Sequence, residues 1–255
     1  VKQIEKLGLQ ESRASYILSP SEYKLFLVEA PSVSSGEMES AVKWKIKDLI
    51  DGAVDEMAIT VFPVPDDAYR GDTDMVYAVA SRKSRIREIV DLVHNAGLQL
   101  DAIDIPEMVM KNLSTLCADD SNGLAFLDLR RTGSTLNVCR NGAIYLTRHL
   151  NTGMDSDVMN STEWDSIREK LVLEIQRSLD YYESQLGQST IPKIVLAPRH
   201  HDSQSLADQL NEAMAVRVEC MNIAEGLKTE FDLPMDIQQS CMLAIGGALR
   251  QEQAV

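Results

Sequence analysis

The stretch "GLAFLDLRRTGSTLNVCRNGAIYLTRHL", Gly123 to Leu150, decides how the chain folds. An apolar run ends at Asp128, and a turn carrying Thr132, Gly133, Ser134 and Thr135 follows it. Asn141-Gly142 marks a second tight turn, because this pair adopts the positive φ angles of a two-residue hairpin loop. Three strands joined by two tight turns are predicted. A carboxylate at a strand end, followed by small and hydroxyl residues, can hold an anion or a metal-bound water.

Downstream, Thr162 with Asp165 three residues on resembles a capping box. It precedes a long helix in which Ile167, Leu171, Ile175, Leu179, Tyr182 and Leu186 recur every three or four residues, ending at Gly187. "IPKIVLAP" reads as a buried strand, "SQSLADQLNEAM" as a helix, "VRVECM" as a strand and "QQSCMLAIGGALRQ" as a final helix. Meander, helix, strand, helix, strand, helix is half of a two-lobed α/β fold. On the final helix Met242, Leu243, Ile245 and Leu249 lie along one stripe.

Upstream, "ASYILSP" and "YKLFLVEAP" read as the two arms of a hairpin turning at Pro20-Ser21. A helix capped at Ser34 or Ser35 places Met38, Val42, Ile46 and Leu49 on one face. "DEMAITVFPVP" and "DMVYAVAS" are strands joined by the loop Asp66 to Asp74. A helix with Ile86, Ile89, Val90 and Val93 on one face follows, stopped by Gly97, and "LQLDAIDIP" closes the unit as a strand. The expected division is an α+β unit over 1–106, a connecting helix and turn over 107–122, and an α/β lobe over 123–255.

The chain has 255 residues, 44% hydrophobic and 25% charged, a globular profile with no apolar run near the roughly 20 residues of a membrane span. The net charge of -14 excludes nucleic acid as an expected partner, because phosphate backbones are gripped by clustered Lys and Arg. Four scattered cysteines without a C-x-x-C pair point to a reducing compartment and no disulfides. No signal peptide is visible. The chain begins at Val1 without a methionine, so it is expected to lack upstream residues.

The order of these elements, with "AVKWKIKDLIDGAVDEMAITVFPVP", "VYAVASRKSRIREIVDLVHNAGLQLDAIDIPEM", "FLDLRRTGSTLNVCRNGAIYLTRHL", "LVLEIQRSLDYYES" and "IVLAP", resembles the PilM family of actin-like type IV pilus-assembly proteins. Within it, the likeness is to the MshI proteins of mannose-sensitive haemagglutinin (MSHA) pili. The resemblance implies an actin-like, ribonuclease-H-like α/β fold. The first unit would be the inserted α+β subdomain, and the N-terminal phosphate hairpin would lie upstream of Val1. It also implies a scaffold at the cytoplasmic face of the inner membrane, in a family whose members bind ATP in a cleft and hold the short cytoplasmic tail of a membrane protein.

Residue by residue, Asp128 matches the family's metal-facing aspartate, while Leu129 and Arg130 replace the small residue and glycine that follow it. Arg130 and Arg131 could pair with a phosphate, or their bulk fills the space that its approach requires. Pro198 and Arg199 replace a glycine pair, and proline supplies neither N–H nor positive φ. The lid is reduced to the twelve residues "NTGMDSDVMNST". The phosphate hairpin, Asp128 with Thr132, Gly133, Ser134 and Thr135, is therefore expected to be degenerate.

Asp128 also reads as a turn-former accepting backbone hydrogen bonds. His200-His201 reads as a metal pair or, more simply, as a solvated turn, because adjacent side chains on a strand point apart. Glu174, Gln176 and Arg177 could face a cleft or form an exposed helix face. Trp44 and Trp164 are expected as core or staple residues. No nucleophile context or paired carboxylate suggests catalysis.

The expected function is a non-enzymatic, cofactor-free scaffold of an MSHA-type pilus platform, cytoplasmic and peripheral at the inner membrane through a partner. That partner is the cytoplasmic tail of an inner-membrane pilus protein, received along a strand edge at Tyr23, Leu25 and Leu27. The alternative is an ATP- and magnesium-binding protein whose nucleotide state regulates partner binding. A soluble small-molecule enzyme on a similar fold is a third reading. Oligomerisation is left open.

Overall fold

A computed structural model describes residues 1–71, 74–117, 121–155, 158–198, 203–227, 229 and 232–251. Two compact units emerge: Val1–Asp66 with Gly71–Pro106, and Asp67–Arg70 with Glu107–Val255. Residues 67–70 and 107–122, expected elsewhere, thus group with the second unit.

The first unit contains helix α1 (Lys2–Leu7) and strand β1 (Arg13–Ile17), then β2 (Tyr23–Glu29), α2 (Met38–Lys45), β3 (Met57–Pro63), β4 (Met75–Arg82), α3 (Lys83–Asn95) and β5 (Gln99–Asp104). The predicted β1–β2 hairpin does not form. β1 pairs in parallel with β5, and β2 pairs antiparallel with β4 in a different sheet, ordered β2-β4-β3. The Leu18 N–H continues the β1–β5 ladder to the Asp104 carbonyl, so this run is committed before the turn begins. Glu22 then accepts from the Ser19 N–H at 2.6 Å and closes the bend that carries the chain to the other sheet.

One face of the β2-β4-β3 sheet, through Val28, Val76, Ala78 and Ala80, packs on Val42 of α2 and on Ile46 and Ile50 beyond it. Glu37 accepts from the Ser34 N–H and hydroxyl at the start of this segment. Its end departs from the expected continuous helix: Ile46 leaves helical geometry, a 3-10 turn follows over Lys47–Leu49, and Leu49 swings outward while Ile50 turns in. Trp44 is no core residue either, being 65% exposed beneath Lys47. Gly97 takes φ 76 just beyond α3, where a Cβ would be strained. On α3, Ile89 and Val93 are buried whereas Val90 is exposed.

In the second unit, α4 (Pro106–Ser114) precedes β6 (Leu124–Arg130), β7 (Gly133–Arg140), β8 (Ala143–Leu150), α5 (Trp164–Ser184), β9 (Lys193–Leu196), α6 (Ser203–Ala213), β10 (Arg217–Cys220), α7 (Ile223–Gly226) and α8 (Met235–Ala248). The strands form one mixed sheet, β10-β9-β6-β7-β8, parallel across its first three members and antiparallel across the meander. Asn141 at φ 49 and Gly142 at φ 69 make the β7–β8 turn. Leu171, Ile175, Leu179 and Tyr182 of α5 are buried, and Trp164 donates its indole N–H to Gln209. The expected Thr162–Asp165 capping box is absent, because α5 starts from Glu163 without a side-chain cap.

On the final helix Leu243, Ile245 and Leu249 are only half-buried. Met242 is buried, and a Cβ at Gly246 would lie 2.5 Å from Val109 and 2.9 Å from Leu113, so α8 seats its backbone directly on α4. Asn112 secures the contact by donating to the Gly246 carbonyl at 2.9 Å. Residues 67–70 join this unit through Asp67, which accepts from the Tyr145 hydroxyl at 2.7 Å and lies 3.6 Å from Arg140.

Candidate functional site

The β6–β7 hairpin is the first candidate. Its register sets Asp128 opposite Thr135 and Arg130 opposite Gly133, and the next ladder sets Thr135 opposite His149 and Asn137 opposite Thr147. Because side chains alternate along a strand, these residues share one face of the sheet. The opposite face is apolar, with Leu127, Leu129, Leu136, Val138 and Leu146 all buried. Of the five residues expected to form one site, Asp128, Gly133 and Thr135 come together. Ser134 lies on the other face, donating to the Thr152 carbonyl at 2.6 Å, and Thr132 sits exposed in the turn.

Asp128 is fully buried beside a cation from its own strand: Arg130 Nε lies 3.5 Å from its Oδ2. The same guanidinium donates to the Thr135 hydroxyl. The turn between the strands is packed from two sides. A side chain at Gly133 would run into the His149 ring, and one at Gly153 would run into the Arg131 carbonyl. The Met154 N–H donates to the Arg130 carbonyl at 2.9 Å. Glu174 of α5 anchors the segment before it, accepting from the N–H groups of Asn151 and Thr152 at 3.2 and 3.0 Å. Burial alone would raise the Glu174 carboxyl, but these donors outweigh it and leave it below its ordinary value.

Further along the same face, Asn137 donates to the Glu107 carbonyl at 2.9 Å and accepts from Thr147 at 2.6 Å. Asn137, Thr147 and His149 escaped the sequence reading. For Asn137 the signal was a polar residue set between Leu136 and Val138 two places after Thr135. Gln176 and Arg177 are exposed, and Pro198 is buried. Arg199, His200 and His201 lie outside the described residues. No cluster of His, Cys, Asp or Glu suited to a metal ion occurs among the described residues.

The second candidate is β2. It pairs with β4 on one side, and no other strand pairs with it among the described residues. Phe26 and Val28 face the core on α2, whereas Tyr23, Leu25 and Leu27 lie on the opposite face and are half-buried. At the start of β2 a cavity of about 580 Å³ is lined by residues including Glu22, Tyr23, Lys24, Asp51, Arg82 and Arg85. Arg85 pairs with Glu22 at 2.6 Å, and Lys24 pairs with Asp51. The Ser19 N–H, aided by Arg85, outweighs the effect of burial and holds the Glu22 carboxyl below its ordinary value. Among the described residues, no helix is long and apolar enough to cross a membrane.

No family model matches the chain, and no curated protein matches it. Solved structures do. A chain of the PilM-PilN type IV pilus biogenesis complex is similar with a TM-score of 0.72 and 21% identity, covering 97% of this chain and 83% of that one. The cytoplasmic domain of EpsL, an inner-membrane component of the type II secretion system of Vibrio cholerae, is similar with a TM-score of 0.53 and 12% identity, covering 98% of this chain and 79% of that one. At such identities the likeness is one of fold: the chain has an actin-like α/β fold.

Proposed function

We propose that the chain is a non-enzymatic scaffold of an MSHA-type pilus assembly platform, held at the cytoplasmic face of the inner membrane by the tail of a membrane protein. The observation that carries this reading is that, among the described residues, β2 pairs with no strand but β4 and lies beside a cavity of about 580 Å³. An extended peptide added to such an edge gains backbone hydrogen bonds, and alternate side chains enter pockets on one face, here beside Tyr23, Leu25 and Leu27. Two fold neighbours support the setting: one is a chain of a type IV pilus biogenesis complex, and the other is the cytoplasmic domain of an inner-membrane component of a secretion system. The net charge of -14 favours a tail carrying basic residues near its apolar anchors.

The test is calorimetric titration of the cytoplasmic tail peptide of the cognate inner-membrane pilus protein into wild type and Leu27→Asp. Leu27 lies opposite the face that packs on α2, so the variant should keep its fold, as circular dichroism would verify. Binding that falls at least tenfold in Leu27→Asp, and weakens with added salt, supports the proposal. Equal affinity for both proteins removes β2 from the site, and no binding to wild type removes the scaffold reading.

A further inference from the structure

We propose that Arg130 is a built-in counter-cation: its guanidinium fills the place beside Asp128 and Thr135 that a metal-bound phosphate would need, so the chain itself latches the hairpin and excludes magnesium nucleotide. A buried carboxylate requires a compensating charge, because leaving it alone in a low-dielectric interior is costly. Asp128 is fully buried, and Arg130, two residues along the same strand face, supplies that charge from 3.5 Å. A guanidinium suits this task because its charge is spread over a planar fork, which here lies 3.5 Å from Asp128 while donating to the Thr135 hydroxyl.

The latch is fixed at its backbone as well. The Arg130 carbonyl accepts from Met154, and Gly153 lies so close to the turn that a Cβ there would strike the Arg131 carbonyl. The His149 ring covers Gly133. A phosphate cradle needs free backbone N–H groups with open space before them. At this turn, that space is filled by residues 149 and 153. The inference concerns the second unit and stands or falls separately from tail binding at β2.

Two measurements on the intact chain decide it. First, the melting temperature of wild type is followed with magnesium chloride and ATP, each up to 10 mM by the order of magnitude that saturates a site of millimolar affinity. No rise is expected, and a saturable rise overturns exclusion. Second, urea denaturation of wild type, Asp128→Asn, Arg130→Met and the double variant yields the coupling between the two side chains. The double variant should recover at least tenfold in its folding equilibrium constant relative to the sum of the single losses. Additive losses would make Arg130 a packing residue and overturn the counter-cation. If Arg130→Met does not fold, Arg130→Lys enters the same cycle, because it keeps the charge while losing the fork.

Discussion

The two sheets of this molecule treat polar groups in opposite ways. In the β2-β4-β3 sheet, charged residues stay at the rim: Lys24 and Asp51 form an ion pair with side chains 48% and 85% exposed, and the core is wholly apolar. In the β6-β7-β8 meander, Asp128, Thr135 and Asn137 are buried on one face of the sheet, and each has its partner inside the chain. The contrast separates two uses of a sheet. In the first, β2 pairs with no strand but β4 among the described residues, the edge proposed above to receive an added strand. The second turns inward, with side-chain bonds that are costly to break.

The largest effect that tests this contrast is expected at Asp128. Asp128→Ala leaves a mostly buried guanidinium without its carboxylate and should destabilise the chain by about 3–5 kcal/mol, as urea denaturation would measure. A loss under about 1 kcal/mol, the range of an exposed pair, would erase the distinction between the sheets. Gly153→Ala comes next. The added Cβ meets backbone rather than a flexible side chain, so a loss of about 1–3 kcal/mol is expected in the same assay.

A smaller effect is expected in the acid limb of stability. The Glu174 carboxyl is depressed in the folded chain, so its contribution is fully present above the unfolded value near 4.5 and is lost as pH falls through the folded value. The stability difference between wild type and Glu174→Gln should therefore hold at neutral pH and narrow below about pH 4.5. Thermal melts across that range would check the sign, and a difference that widens on acidification would contradict it. The smallest effect is assigned to Lys24→Ala. Its exposed pair with Asp51 should contribute no more than about 0–1 kcal/mol and fade with salt.

The sequence by itself determined the type and order of most elements. The apolar run ending at Asp128, the Asn141-Gly142 turn and the three-to-four spacing along Trp164–Ser184 are local signals, since they are properties of short segments. Asp128 and Thr135 were also visible as a carboxylate and a hydroxyl flanking a turn. Tertiary structure alone decided which strands pair. β1 looked like one arm of a hairpin with β2 but joined β5, because ladder hydrogen bonds are alike for every strand and the choice rests on packing between distant segments. It likewise decided that Ile50 rather than Leu49 is buried, and that Asp67 belongs with Tyr145. Finally, it brought Arg130, Thr135 and His149 onto the face of Asp128, where register and the pleat, not proximity in the chain, fix which side chains meet.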